Sequence, residues 1–162
     1  MGQVFKFTAD NMVKAEEILA KYPKTKGKSA MLPLLDLAQR QNDNHLAPEV
    51  IEYVASFLDT PAIKAYEVAS FYTMFNTKPV GKYLLQFCIT TPCWLRGSDE
   101  LEQAITKHLG IKFGETTADE KFTLMKVECL GACVDAPIVQ INDDYYENLT
   151  ATKLIEVIEK LP

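Results

Sequence analysis

The four cysteines of the chain fall into two short pairs, Cys88-Ile-Thr-Thr-Pro-Cys93 and Cys129-Leu-Gly-Ala-Cys133, both in its second half. Each pair begins where a β-branched or apolar run ends: residues 82–87 run into Cys88, and residues 122–127 lead to Cys129. If both runs are neighbouring strands of one sheet, the two loops leave it at the same edge. Four thiolates then converge on one small volume, and this requirement restricts the fold more than any other feature. Four converging sulfurs suit either tetrahedral zinc or an iron–sulfur cluster.

Spacing is the first discriminator. Structural zinc usually takes Cys-x-x-Cys knuckles, in which two tight turns chelate one ion, and neither pair has that spacing. Four intervening residues match one arm of the plant-type ferredoxin loop, and wider arms suit a cluster whose two irons are each held by two cysteines. The residues therefore point to a [2Fe-2S] centre, with zinc and disulfides as the alternatives. A Rieske centre needs two histidines in place of two cysteines, but His45 and His108 lie outside both pairs. Dithiol exchange of the thioredoxin kind normally uses Cys-x-x-Cys. Gly97 and Gly131 are expected to let backbone N–H groups approach the sulfurs, and Thr90, Thr91 and Pro92 to form a stiff, polar ligand loop.

With 162 residues and 48% hydrophobic content, the chain can bury one ordinary core or two small ones. A net charge of −5, with no basic stretch long enough to neutralise phosphates, argues against a nucleic-acid binder. The short basic stretch over residues 21–28 reads as a solvated linker. No apolar run approaches the roughly 20 residues needed to cross a bilayer. The opening Met-Gly-Gln-Val-Phe-Lys-Phe lacks signal-peptide and transit-peptide character. An intracellular chain is expected, where a reducing compartment keeps thiols available as ligands.

The first half has no cysteine and repeatedly shows helical spacing. Met12, Ala15, Ile18, Leu19 and Tyr22 mark a half-buried helix that stops before Pro23. Ser29 is expected to cap a second helix over residues 30–41, with Met31, Leu34, Leu35 and Ala38 inward and Pro33 in its first turn. A third begins at Pro48 and buries Val50, Ile51, Val54, Phe57 and Leu58. A fourth begins at Thr60-Pro61, with Thr60 as cap. Short connections favour a bundle of adjacent antiparallel helices. The aromatic stretch over residues 67–75 reads first as packing and second as a docking surface for another subunit. Turn composition over residues 76–81 marks a boundary, giving a helical domain over 1–78 and a second domain over 79–162.

In the second half, Ser98 is expected to cap a helix that buries Leu101, Ala104, Ile105 and Leu109 and closes at Gly110. Strands are expected over residues 122–128 and 137–141, then an Asn142-Asp143 turn, a strand from Tyr145, and a last helix opened by Thr150 or Thr152. Strand, helix, strand, then hairpin and helix is the order of a thioredoxin-like domain, whose first unit makes its strands parallel. Pro137 sits where such folds often carry a cis proline, and a trans proline starting a strand is equally permitted. The fold class is α+β, a helical bundle followed by a thioredoxin-like α/β domain carrying a [2Fe-2S] cluster.

These residues also carry a resemblance. Cys88-Ile-Thr-Thr-Pro-Cys-Trp-Leu-Arg-Gly-Ser98, Val127-Glu-Cys-Leu-Gly-Ala-Cys133, Ala136-Pro and, in the helical half, Tyr66-Glu-Val-Ala-Ser-Phe-Tyr-Thr-Met-Phe75 resemble the thioredoxin-like [2Fe-2S] subunit of respiratory complex I. The resemblance covers nearly the whole chain and departs only at Phe87, Ile89 and residues 41–45. It implies a [2Fe-2S] cluster ligated by Cys88, Cys93, Cys129 and Cys133. It further implies docking on a subunit that binds NADH and flavin mononucleotide (FMN), with which the cluster exchanges single electrons, among other peripheral-arm subunits. The expected location is peripheral, on the cytoplasmic side of a bacterial inner membrane or the matrix side of a mitochondrion. No acid/base pair, nucleophile or phosphate loop is evident, so catalysis on NADH is expected to belong to the partner. The same module in an NAD-linked hydrogenase or formate dehydrogenase, and a zinc-stabilised interaction module, are the competing readings.

Overall fold

The computed structural model describes residues 5–162; residues 1–4, with which the expected helical domain begins, lie outside the described residues. The chain divides into two compact units, the first ending at Pro79 and the second spanning Val80–Pro162.

The first unit holds α1 (Ala9–Ala20), α2 (Met31–Gln41), α3 (Pro48–Phe57) and α4 (Ala62–Phe71). Their inward stripes, Ala15, then Leu34, Leu35 and Ala38, then Val50, Ile51 and Val54, then Ala65 and Ala69, merge into one buried cluster. Each fully buried leucine or isoleucine contributes about 1.5–3 kcal/mol. Pro48 occupies the first turn of α3, where its missing N–H costs nothing.

The first unit departs from the sequence expectation at three places. The basic stretch is solvated and joins α1 to α2 as expected, but it is not irregular, because Lys24–Ala30 winds into a 3₁₀ segment that runs directly into α2. Ser29 is therefore no cap: Ala30 takes that place, with φ −78° and ψ 2°, and no extended residue precedes the helix for a hydroxyl to cap. At α4 the extended cap residue is Pro61 rather than Thr60. Packing accounts for Phe75, which is buried, but Phe71 and Met74 of the aromatic stretch are 76% and 46% exposed.

The second unit is built on a four-stranded sheet in the order β2-β1-β3-β4. Its strands are β1 (Tyr83–Cys88), β2 (Phe122–Val127), β3 (Val139–Ile141) and β4 (Asp144–Tyr146). Three helices complete it: α5 (Thr91–Leu95), α6 (Ser98–Leu109) and α7 (Ala151–Lys160). β1 and β2 are parallel, in register from Tyr83 with Phe122 to Cys88 with Val127. β3 runs antiparallel to β1 and forms a hairpin with β4. Leu101 and Ile105 of α6 and Leu154 and Ile158 of α7 share a core with Leu85, Phe87, Leu124, Val139 and Ile141. Because side chains alternate along a strand, Cys88 falls on the face opposite Phe87.

Thr150 caps α7, its hydroxyl accepting from the Lys153 N–H. Ser98 does not cap α6. Gly97, at φ +93°, takes that position, which a glycine adopts without the steric cost of a Cβ. Ser98 becomes the first helical residue, its buried hydroxyl unpartnered among the described residues.

Gly81 seats the start of β1 against β2. A Cβ there would lie 2.9 Å from the Phe122 backbone and 3.0 Å from the Glu120 carbonyl oxygen, which accepts from the Lys82 N–H. Gly81→Ala is expected to destabilise the second unit by about 1–3 kcal/mol, measured as a lower denaturant midpoint with an unchanged m-value.

Candidate metal centre

Parallel pairing fixes where the cysteines start. Cys88 is the last residue of β1, opposite Val127, and Cys129 lies two residues past the end of β2. Both cysteine segments thus leave the carboxyl edge of adjacent strands, as the sequence requires. The Ile89 N–H donates to the Val127 carbonyl at 3.1 Å and holds the two exits together.

The first segment is not the loop expected from its composition. Thr91-Pro-Cys-Trp-Leu95 forms the short helix α5, with Pro92 in its first turn, so Cys93 sits inside a helical turn. Cys93 and Cys88 are buried, at 0% and 1% exposure, over an apolar floor of Ala136 and Ile138 flanked by Leu130 and Ala132. The second segment is open. Cys129 and Cys133 are exposed, their sulfurs 3.6 Å apart. Gly131, at φ +89°, donates its N–H to Cys129 Sγ at 3.3 Å, as expected of it. Gly97 does not do so: its N–H donates to the Trp94 carbonyl.

Cross-links hold the two segments in place. The Tyr145 hydroxyl donates to the Leu130 carbonyl at 2.7 Å, tying the second segment to β4, and the Asn148 side chain donates to Asp135 at 2.9 Å. Arg96 Nε donates to the Ala136 carbonyl at 3.4 Å, joining α5 to the end of the second segment. Pro137 follows Ala136 through a cis peptide bond. Sequence reading did not single out Tyr145 or Asn148 for this work. A tyrosine in a strand and an asparagine at positive φ look like ordinary hairpin residues until the partner loop is seen.

Burial tends to raise the Cys88 thiol, but hydrogen bonds from Thr90, through its side chain and its backbone, and from the Leu130 backbone outweigh it and hold Cys88 below the ordinary thiol range. Burial and the hydrogen bond shared with Cys88 push Cys93 up to about 11. Cys133 is raised by its hydrogen bond with Cys129. Cys129 and Cys133 are hydrogen-bonded to each other, while Cys88 raises Cys93 and its charge also reaches Cys133.

Among the described residues, no three His, Cys, Asp or Glu side chains lie close enough to enclose one ion. Two separate sulfur pairs suit a binuclear cluster, in which each iron takes two sulfurs and the four need not meet at a point. All four thiols are free, so nothing must be reduced before they ligate. The residues present fit a [2Fe-2S] group. His45 and His108 play no part; His45 contacts Asn42 in the first unit and His108 lies in the last turn of α6.

The sequence profile of the thioredoxin-like [2Fe-2S] ferredoxin family matches residues 15–162. The chain is 61% identical over 157 residues to a subunit of the NADH-quinone oxidoreductase of Rickettsia conorii (strain ATCC VR-613 / Malish 7), covering 97% of this chain and 94% of that one. It is 54% identical to the mitochondrial NADH dehydrogenase [ubiquinone] flavoprotein 2 of Dictyostelium discoideum, covering 97% of this chain and 64% of that protein. Among solved structures, an NAD+-reducing [NiFe]-hydrogenase in the air-oxidized state superposes with a TM-score of 0.68 at 25% identity. The match covers 78% of this chain but only 22% of the hydrogenase chain.

Burial makes a chemical distinction that can be read directly. In the cluster-free chain, a thiol-alkylating reagent is expected to modify the exposed Cys129 more than about tenfold faster than Cys93, which is both buried and held in its protonated form, as followed by peptide mass spectrometry. Equal rates at Cys129 and Cys93 would contradict the buried and exposed halves of the site.

Proposed function

The chain belongs to the thioredoxin-like [2Fe-2S] ferredoxin family, and from that premise we propose that it is an electron-transfer subunit of an NADH-quinone oxidoreductase. The observation that carries this is the departure of two cysteine pairs from one sheet edge in a chain 61% identical, over nearly its whole length, to a subunit of such an enzyme. We assign Cys88, Cys93, Cys129 and Cys133 as the cluster ligands. On this reading residues 1–78 and 79–162 are separate domains, the first a helical bundle and the second the ferredoxin module. The division of the chain after Pro79 supports that assignment.

When bound, the [2Fe-2S] group supplies a one-electron donor and acceptor. The protein's own residues do the rest. Ala136 and Ile138 exclude water from the Cys88 and Cys93 side, while the N–H groups of Thr90, Leu130 and Gly131 turn toward sulfur and favour its anionic form. The open Cys129 and Cys133 side, flanked by Val134 at 88% exposure, is where a redox partner approaches most closely. That partner is the subunit of the complex that binds NADH and FMN, with which single electrons are exchanged. Among the described residues no helix is long and apolar enough to cross a membrane, which agrees with a peripheral position. We place the chain on the cytoplasmic side of a bacterial inner membrane, or the matrix side in a mitochondrion. The likeness to an NAD+-reducing hydrogenase supports a second reading, the same module serving such an enzyme.

Two outcomes test the proposal. NADH alone is expected to leave the cluster of the purified chain oxidised and to reduce it once the FMN-bearing partner subunit is added, followed by loss of visible absorbance. Reduction without the partner would contradict a carrier role. Cys93→Ser is expected to abolish or alter the cluster spectrum while far-ultraviolet circular dichroism stays helical. An unchanged spectrum would remove Cys93 from the ligand set.

A further inference from the structure

Thr90 occupies the N-cap position of α5, with the extended backbone usual for a cap, φ −75° and ψ 164°. A threonine there ordinarily turns its hydroxyl oxygen to a first-turn N–H. Thr90 makes no such bond. Its Oγ1 lies instead 3.2 Å from Cys88 Sγ, in a half-buried setting beside a cysteine that is 1% exposed. The helix start is held by backbone alone, the Trp94 N–H donating to the Thr90 carbonyl at 3.0 Å.

Either atom can donate while Cys88 is a thiol, but a sulfur that ligates metal has lost its proton. In the ligated state the hydroxyl must therefore be the donor, and the bond becomes a hydrogen bond to an anionic sulfur. Hydrogen bonds to ionised groups are about twice as strong as neutral ones, and those to cluster sulfurs help set the reduction potential. The contact is also asymmetric within the site: no side-chain hydroxyl reaches Cys93, Cys129 or Cys133 in the hydrogen bonds of the described residues.

We propose that Thr90 is a positioning residue whose hydroxyl donates to the Cys88 sulfur and raises the reduction potential of the bound cluster, its capping role given up to do so. The proposal rests on Cys88 being a ligand. Adding an electron increases the negative charge on the sulfurs, so a donor bonded to one of them stabilises the reduced form more than the oxidised form. Thr91, the next residue, is exposed and makes no comparable contact with sulfur.

The test compares the cluster-loaded full-length chain with Thr90→Val, Thr90→Ala and Thr90→Ser in redox titrations followed by electron paramagnetic resonance. Valine keeps the shape without the hydroxyl, alanine removes bulk as well, and serine restores the donor. At the potential where the wild-type cluster is half reduced, the valine and alanine variants are expected to show a reduced-to-oxidised ratio about tenfold lower, equivalent to about 59 mV for one electron. Serine should lie close to wild type. Midpoints unchanged in loaded valine or alanine chains would overturn the proposal, as would a serine variant displaced as far as valine. If neither valine nor alanine holds a cluster while serine does, the hydroxyl serves assembly rather than potential, and the proposal is equally overturned. A wild-type chain that holds no cluster would instead defeat the ligand assignment, so the two failures are distinguishable.

Discussion

The parallel register of β1 and β2 decides where the chemistry can happen. Parallel strands must end at the same edge, so a sequence that places a cysteine at or just beyond the end of each delivers two sulfurs to one place before any loop is considered. The connection between them, through α5 and α6, is long enough to make the parallel crossover and to carry a second cysteine, Cys93, back beneath the edge. β3 then pairs with the other side of β1, and the Cys88 N–H donates to the Ile138 carbonyl at 3.4 Å, so the floor of the site is the strand next door. A shift of β1 by one residue would turn Cys88 to the face occupied by Phe87 and dissolve the arrangement.

The two halves of the site answer different demands. Removing charged sulfur from water is costly unless donors replace the lost hydration, and the buried half supplies them: the Thr90 side chain and backbone and the Leu130 backbone at Cys88, and the Ile138 backbone at Cys93. The half made by Cys129 and Cys133 keeps its contact with water, with Gly131 as its backbone donor. One side is closed to water and the other is open to it. Trp94, next to Cys93 in the chain, stands exposed and is anchored by its indole N–H, which donates to Asp99 at 2.8 Å.

Much of this was legible in the residues. Strand positions, the four-helix first unit, the Asn142-Asp143 turn, the Thr150 cap and the exit of both cysteine segments at one sheet edge follow from periodicity and turn chemistry alone. The failures have a common physical origin. Ser29, Thr60 and Ser98 are all good capping residues by type, yet each is displaced by neighbouring backbone: a 3₁₀ lead-in, an extended proline, and a left-handed glycine. A cap depends on where the chain bends, and side-chain type does not determine that. Likewise, Thr90 looked like a loop residue because the five-residue helix after it is too short to show a period. The exposure of Phe71 and Met74 has no signature in spacing, since an aromatic run reads the same whether it packs or faces outward.

The proposed chemistry requires four sulfurs to hold two irons. Low-temperature electron paramagnetic resonance of the purified full-length chain, before and after dithionite, with iron and zinc assayed on the same anaerobically reconstituted sample, tests this most directly. The expected result is about two irons per chain and a rhombic signal that appears only on reduction. Stoichiometric zinc, little iron and no signal in either state would contradict it and make the site a structural zinc knot.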